Sequence, residues 1–458
     1  MTALASEWPL GERIAFPSHA VLLLQVFAVT VMVFPANAVI KAIGGGGYLA
    51  ALVAYCLFLT WVAATLFGFH NPLDHRYPVR ISLCVLLLVS LASYALMARA
   101  TLSPAQQAGA DRWLLQLAGV SGVILVAAEG LRSAEDIRRV LRMLTWGGAF
   151  CGIVAALQFR LGLDITPYLR MVPGFSLNQS EAANALIGSR NGLNRVVGTA
   201  TDPIELGVVS AMLLPLAVYL AMHDVTRSKF RRWFPVICIA IAIPASVSRS
   251  AFLAVAVALG VLIVSLGPVQ RLAGLAATLL AMVVVFMTAH GLIGTITSFF
   301  LAGTSDPSAA HRVATYPLAE RLVHQAPWFG QGGGTYIAQN AAQIFDNQYL
   351  TTAVELGLAG VAALTFYLLW PAIAALVARG RTADRGLRDL CAALAGAELA
   401  AVICSATFDS LSFPMFVNVQ ALVAGLTGAV WLLLDREKAA VPAGRPFGKY
   451  SAHQWNGD

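Results

Sequence analysis

The sequence predicts an all-α, polytopic membrane protein, and three observations carry that prediction. Of the 458 residues, 58% are hydrophobic and only 12% are charged, a balance that no soluble surface matches. The apolar residues come in continuous runs of about 20, the length a helix needs to cross a hydrocarbon core roughly 30 Å thick. They do not alternate in polarity, which excludes a transmembrane β-barrel.

Taken in order, the runs predict about twelve transmembrane helices: 18–40, 46–68, 79–98, 112–131, 143–163, 203–222, 233–248, 250–267, 273–295, 348–378, 389–407 and 413–434. Only Ser248-Arg249-Ser250 divides the pair at 233–267. The start of the chain is polar and the first run lacks a small-residue cleavage site, so that run reads as a retained span. Residues 1–434 then form one transmembrane domain. Residues 435–458, with Pro442, Gly444 and Pro446 among mixed charges, read as a disordered cytoplasmic tail. Two connections stand out by length, at about 164–202 and 296–347, and long segments of this kind are usually functional or disordered. The second, between spans nine and ten, has helix-like spacing over Arg312–Val323 and carries Trp328. It predicts an ordered cap with a helix near the interface. The segment Ser133–Met143 is basic and amphipathic, and reads as a helix on the cytoplasmic surface.

Charge sets the orientation. With the N-terminus inside, 20 of the 30 Lys and Arg fall in cytoplasmic segments, which places both termini in the cytoplasm. The net charge of +7 therefore sits in short loops between spans, a distribution that argues against a nucleic-acid partner. The six cysteines, Cys56, Cys84, Cys151, Cys238, Cys391 and Cys404, all fall inside apolar runs without metal-ligand spacing. They read as small buried hydrophobes.

Topology has no need of the remaining cations, so these are the candidates for chemistry. Arg195 precedes the span at 203, Arg249 separates two apolar stretches, and Arg312 and Arg321 lie in the long loop. A guanidinium keeps its charge, and its donor fork fits phosphate oxygens two at a time. A cluster of them at the outer boundary is suited to a diphosphate. Arg249 taken alone also reads as a turn arginine reaching headgroups, or as an ion-pair partner for Asp202 or Glu205. Asp346, in Asp346-Asn347-Gln348-Tyr349-Leu350, reads either as the N-cap of the span at 348 or as a general base. His324 is the other candidate base, or a solvated loop histidine. The run Gly330-Gln331-Gly332-Gly333-Gly334 lacks the Lys-Ser/Thr of a P-loop and reads as a tight backbone passage. Glu355 and Glu398 fall within spans and must face the bundle or a wet cavity. Asp409, at the outer end of span eleven, is placed to orient an arginine from across the bundle.

Together these motifs resemble the O-antigen ligase and O-antigen polymerase family, integral-membrane glycosyltransferases of bacterial surface polysaccharides. The similar segments are Arg195-Val-Val-Gly198-Thr199 with Asp202-Pro203, then Ser248-Arg249-Ser250-Ala251, then Arg312 with Tyr316, then Ala326-Pro327-Trp328-Phe329-Gly330-Gln331-Gly332. Asp346-Asn347-Gln348-Tyr349-Leu350 with Glu355-Leu356-Gly357 and Gly360 completes the set, which covers about residues 190–415. The resemblance implies a GT-C-like helical bundle in the bacterial inner membrane, with its active site on the extracytoplasmic face. It implies metal-independent, inverting transfer without a cofactor, from a glycan on a polyprenyl (undecaprenyl) diphosphate donor to a glycan or lipid-linked acceptor. On that pattern Arg195, Arg249, Arg312 and Arg321 hold the diphosphate, Asn347 and Gln348 position sugar hydroxyls, and Asp346 or His324 takes the acceptor's proton. Asp346 stands where many ligases have histidine, which tilts the expectation towards polymerase. The rival expectation is a transporter or flippase for a lipid-linked or anionic solute, with Glu355 and Glu398 as coupling residues. Lopsided loops and polar residues gathered on one face, rather than at mid-membrane, weigh against it.

Overall fold

Helix starts in this chain are written in side chains that cap the free backbone N–H groups of a first turn. Ser103 and Ser133 each form a capping box, with Gln106 and with Asp136. Asp202, Ser228, Asn347 and Asp384 each accept from a first-turn amide. The computed structural model describes residues 19–41, 47–97, 102–166, 168, 174–177, 188–190, 193–288 and 307–440.

Within those residues the helices are α1 (His19–Val33), α2 (Leu49–Leu66), α3 (Pro78–Met97), α4 (Pro104–Gly130) and α5 (Ala134–Leu161). Then follow α6 (Pro203–His223), α7 (Lys229–Ala245), α8 (Arg249–Ser265) and α9 (Pro268–Thr288). Last come α10 (Pro307–Gln325), α11 (Gln348–Gly380), α12 (Arg385–Cys404) and α13 (Pro414–Ala440). Each of the predicted spans overlaps one of these helices, and α10 is the helix expected in the second long loop. Seven of them, α2 to α6, α11 and α13, are long and apolar enough to cross a membrane, while α1 and α8 are apolar but shorter. The molecule is thus an all-α polytopic membrane protein in outline. Two small antiparallel ribbons depart from all-helix: β1 (Ala38–Ile40) pairs with β2 (Phe175–Leu177), and β3 (Gly188–Arg190) with β4 (Leu193–Arg195).

The bundle has a centre and a rim. In both α6 and α13 the most apolar window is 89% buried, against 11% in α2. Outward residues such as Leu59, Ile81, Leu88 and Leu272 are large, apolar and exposed, as a lipid-facing surface requires. The helix ends gather at two poles. At one pole Arg142 meets Asp224 at 2.7 Å, His223 meets Asp389 at 2.9 Å, and Arg379 donates to the Ser265 carbonyl at 2.9 Å. Buried Glu129 belongs there too, accepting from Trp61, His70 and Tyr77 within 2.9 Å, with Arg80 at 3.5 Å. The opposite pole holds the loops with Arg195, Arg249 and Asp346.

Three expectations change. Ser133–Met143 is not a separate surface helix but the capped first turns of α5, because Ile137, Val140 and Leu141 are buried and its arginines pair with Glu135 and Asp224. The last helix runs through Asp435 to Ala440, where Arg381 pairs with Asp435 and stacks on Trp431 at 4.2 Å; residues 441–458 lie outside the described residues. The cap of α11 is Asn347 rather than Asp346: its Oδ1 accepts from the amides of Tyr349 and Leu350. Asp346 is left outside the helix.

Candidate functional site

One pole of the bundle is assembled around two fully engaged polar side chains. Glu205, in the first turn of α6, is 0% exposed. Its Oε1 accepts from the amides of Met415 and Phe416 at the start of α13, and its Oε2 from the amide and hydroxyl of Thr201. Gln348, at the start of α11, donates its backbone amide to the Ser405 and Phe408 carbonyls beyond α12. Its Oε1 accepts from the Leu411 amide at 2.7 Å, and its Nε2 donates to Thr352. These bonds fix the ends of α6, α11, α12 and α13 against one another.

The turn between α7 and α8 packs into the same place. Gly207 of α6 lies so close to it that a Cβ there would meet Ala251 and Ser246 at 2.5 Å. Cys404 lies 3.4 Å from the Ser250 carbonyl. Val247 in this turn has φ +46° and is 0% exposed. A β-branched residue held there stores roughly 1–3 kcal/mol of strain, a cost that concentrates at functional sites. The strained step ends α7 and delivers Arg249, half-buried, as the first residue of α8.

Four charged residues, Arg195, Asp202, Asp346 and Asp409, come to the same pole from separate strands and loops. Arg195 ends β4 and is half-buried. The chain then turns through Gly198, whose amide and carbonyl are both held by Gln158 of α5, and reaches Asp202, the cap of α6. Burial pushes the Asp202 carboxyl above its ordinary value. The Ile204 amide and the Arg195 charge pull it back, and the charge of Asp346 pushes it up again. Asp409, in the turn between α12 and α13, is likewise raised by burial, lowered by bonds from Ser412 and Thr351, and raised by Asp346. Asp346 therefore acts on carboxyls at the ends of two different helices, with Arg195 acting on the first. Asp409 is expected to orient an arginine; the hydrogen bond described at it comes from Ser412.

The loop leading to Asp346 enters the bundle rather than resting on it. Inside α11, Gly357 has φ +68° and breaks the helix. The backbone freed there bonds to the incoming loop: Leu358 N to Pro327 O at 2.8 Å, Ala359 N to Trp328 O at 3.1 Å, and Gly332 N to Glu355 O at 2.8 Å. Irregular backbone at membrane depth survives only when it is satisfied in this way. Gly330, Gly332 and Gly334 all have positive φ. A Cβ on them would strike the Glu355 backbone, Met97 Sδ and the Gly109 carbonyl within 2.4 Å. The glycine run is the expected tight passage, and its tightness comes from α3, α4 and α11.

The remaining sequence candidates divide. The helix predicted around Arg312 exists, but the Arg312 side chain lies outside the described residues; the helix buries a face through Thr315 and Ala319. That face packs on Phe345, the neighbour of Asp346. Arg321 lies nine residues beyond Arg312, about two and a half turns round, and so on the opposite face; it is exposed, its Nε donating to the Pro317 carbonyl at 3.2 Å. His324 is 79% exposed and 4.0 Å from Glu320. Asn347 and Gln348 are at the site, but their side chains are engaged in capping and in joining helix ends. Glu355 and Glu398 face the bundle as expected, 8% and 0% exposed.

Residues 234–365 match the O-antigen ligase family model. The match supports the O-antigen ligase/polymerase family for this chain and a role in polysaccharide biosynthesis. No curated protein matches the chain. The ligase-family segment runs from α7 to the middle of α11, and so contains Arg249, Arg312, Asp346 and the inserted loop. Arg195 and Asp202 lie outside it in sequence and reach it only in space. Glu205 and Gln158, which hold them there, gave one signal in the sequence: a charged and an amide side chain inside otherwise apolar helices.

Proposed function

We propose that this protein is a metal-independent membrane glycosyltransferase, with twelve spans in a GT-C-like arrangement. It transfers or polymerises a glycan from a polyprenyl diphosphate donor on the extracytoplasmic face. The observation that supports the reading is that Arg195 and Asp346 both act electrostatically on buried Asp202, at the pole where the strained turn at Val247 leads into Arg249.

In this reaction the acceptor hydroxyl gives its proton to the Asp346 carboxylate as its oxygen forms a bond to the anomeric carbon. The bond from that carbon to the donor diphosphate breaks, and the electron pair leaves with the diphosphate. The stereochemistry inverts in the single displacement. Arg195 and Arg249 stabilise the charge that accumulates on the leaving group, with Arg312 and Arg321 as further candidates. Fixed donors placed where charge develops are the usual source of such stabilisation. Asp346 is the preferred base over His324, because His324 points to solvent from the far side of α10. Polymerase is preferred over ligase on the strength of a carboxylate at position 346.

Purified protein given a radiolabelled lipid-linked repeat unit tests this. The wild type forms long products without a second acceptor, while Arg249→Ala and Asp346→Ala each lose at least a hundredfold in rate. In cells the lipid-linked donor then accumulates on the outer face. Accumulation on the inner face in both variants indicates a flippase and overturns the enzyme.

A further inference from the structure

A second polar cleft opens at the same pole, between α2, α4 and α13, and none of the residues discussed above as catalytic lines it. Its cavity volume is roughly 110 Å³, below the about 300–1,000 Å³ of sites that enclose a whole small molecule, so it takes only part of a larger ligand. Arg112, Gln116, Ser412 and Asn418 give it a polar mouth; Ala54, Tyr55, Val120 and Val417 line it deeper. Along α4, Arg112 lies about two turns nearer the pole than Val120. Gly119 keeps the wall thin, since a Cβ there would touch the Tyr55 ring at 3.0 Å. Among the described residues Arg112 has no hydrogen bond or ion pair and is exposed. The helix that forms one flank, α2, is the least buried of the candidate spans, so lipid lies against that helix's outer side.

A cationic mouth above an apolar, lipid-facing wall suits one kind of ligand: a long hydrocarbon chain carrying a phosphate. The wall shared with the site fits the same purpose. Leu411 and Ser412 line the cleft, while the Leu411 amide is held by Gln348 and the Ser412 hydroxyl bonds Asp409. Resting on the glycosyl-transfer reading, we infer that this cleft is the acceptor's lipid-phosphate site. Arg112 grips the phosphate of a polyprenyl-anchored acceptor, its chain lies along α2, and its glycan reaches over the 409–412 turn to Asp346.

The test uses full-length protein in phosphatidylcholine nanodiscs with a photoreactive undecaprenyl phosphate as probe. Labelling is expected on peptides of α2 and α4 that line the cleft. Arg112→Ala, a surface change that leaves the thermal midpoint in place, lowers that labelling at least fivefold, and Arg249→Ala lowers only labelling elsewhere. Unlabelled undecaprenyl phosphate competes; phosphatidylglycerol and inorganic phosphate do not. Labelling absent from the cleft, or unmoved by Arg112→Ala, overturns the inference. Equal competition by phosphatidylglycerol replaces it with a general anionic-lipid contact, and competition by inorganic phosphate with a headgroup site that ignores the chain. Failure of the glycosyl-transfer reading shows separately, as glycan product persisting in Arg249→Ala and Asp346→Ala.

Discussion

Asp202 illustrates what a site residue costs its fold. Burial holds its carboxyl above the ordinary value of 3.8. A group raised on folding contributes stability fully below that value, and the contribution is lost as pH rises through the raised one. Once ionised, Asp202 is therefore a liability that Arg195 offsets only in part. Asp202→Asn keeps an acceptor for the Ile204 amide, since Asn caps as well as Asp. The variant is expected to have a higher thermal midpoint than wild type near pH 7, with the difference vanishing as pH falls below the ordinary value. A lower midpoint near neutrality means that the attraction of Arg195 outweighs burial. Arg195, Arg249 and Asp346 were legible in the sequence because isolated charges between apolar runs need a reason. Val247 was not, since a left-handed backbone leaves no trace in a valine.

At the scale of elements, hydropathy placed the helices but could not see inside them. The break in α11 lies in an apolar run marked by Glu355, Gly357 and Gly360, and glycines are common in membrane helices whether or not they break. The β-ribbons were equally hidden, because each strand is three residues long and its partner is distant or across a tight turn. Gly357→Ala tests the break directly. The new Cβ sits 2.4 Å from the Trp328 carbonyl carbon at φ +68°, so the loop is displaced, protein yield falls, and glycan synthesis is lost. Gly260→Ala in α8, where a Cβ meets nothing within 4 Å, is the matched control. It is expected to be neutral or stabilising by about 0.5–1 kcal/mol. Equal behaviour of the two variants would mean that the inserted loop contributes nothing to the site.

Across the whole molecule the division of labour is between two poles. One is tied by ion pairs such as Arg142–Asp224 and by the Glu129 cluster; the other carries cations that no topology rule demands. That asymmetry was readable from charge counts, whereas the joining of Arg195 to a segment that begins at residue 234 required the fold. The central claim is that Arg195 and Arg249, 54 residues apart in sequence, grip one diphosphate. Binding of undecaprenyl diphosphate to purified wild type, Arg195→Ala, Arg249→Ala and Asp346→Ala measures it most directly. Each arginine variant should lose about tenfold in affinity or more, ~1.4 kcal/mol, while Asp346→Ala binds as wild type yet forms no glycan. Wild-type affinity in both arginine variants would contradict the account.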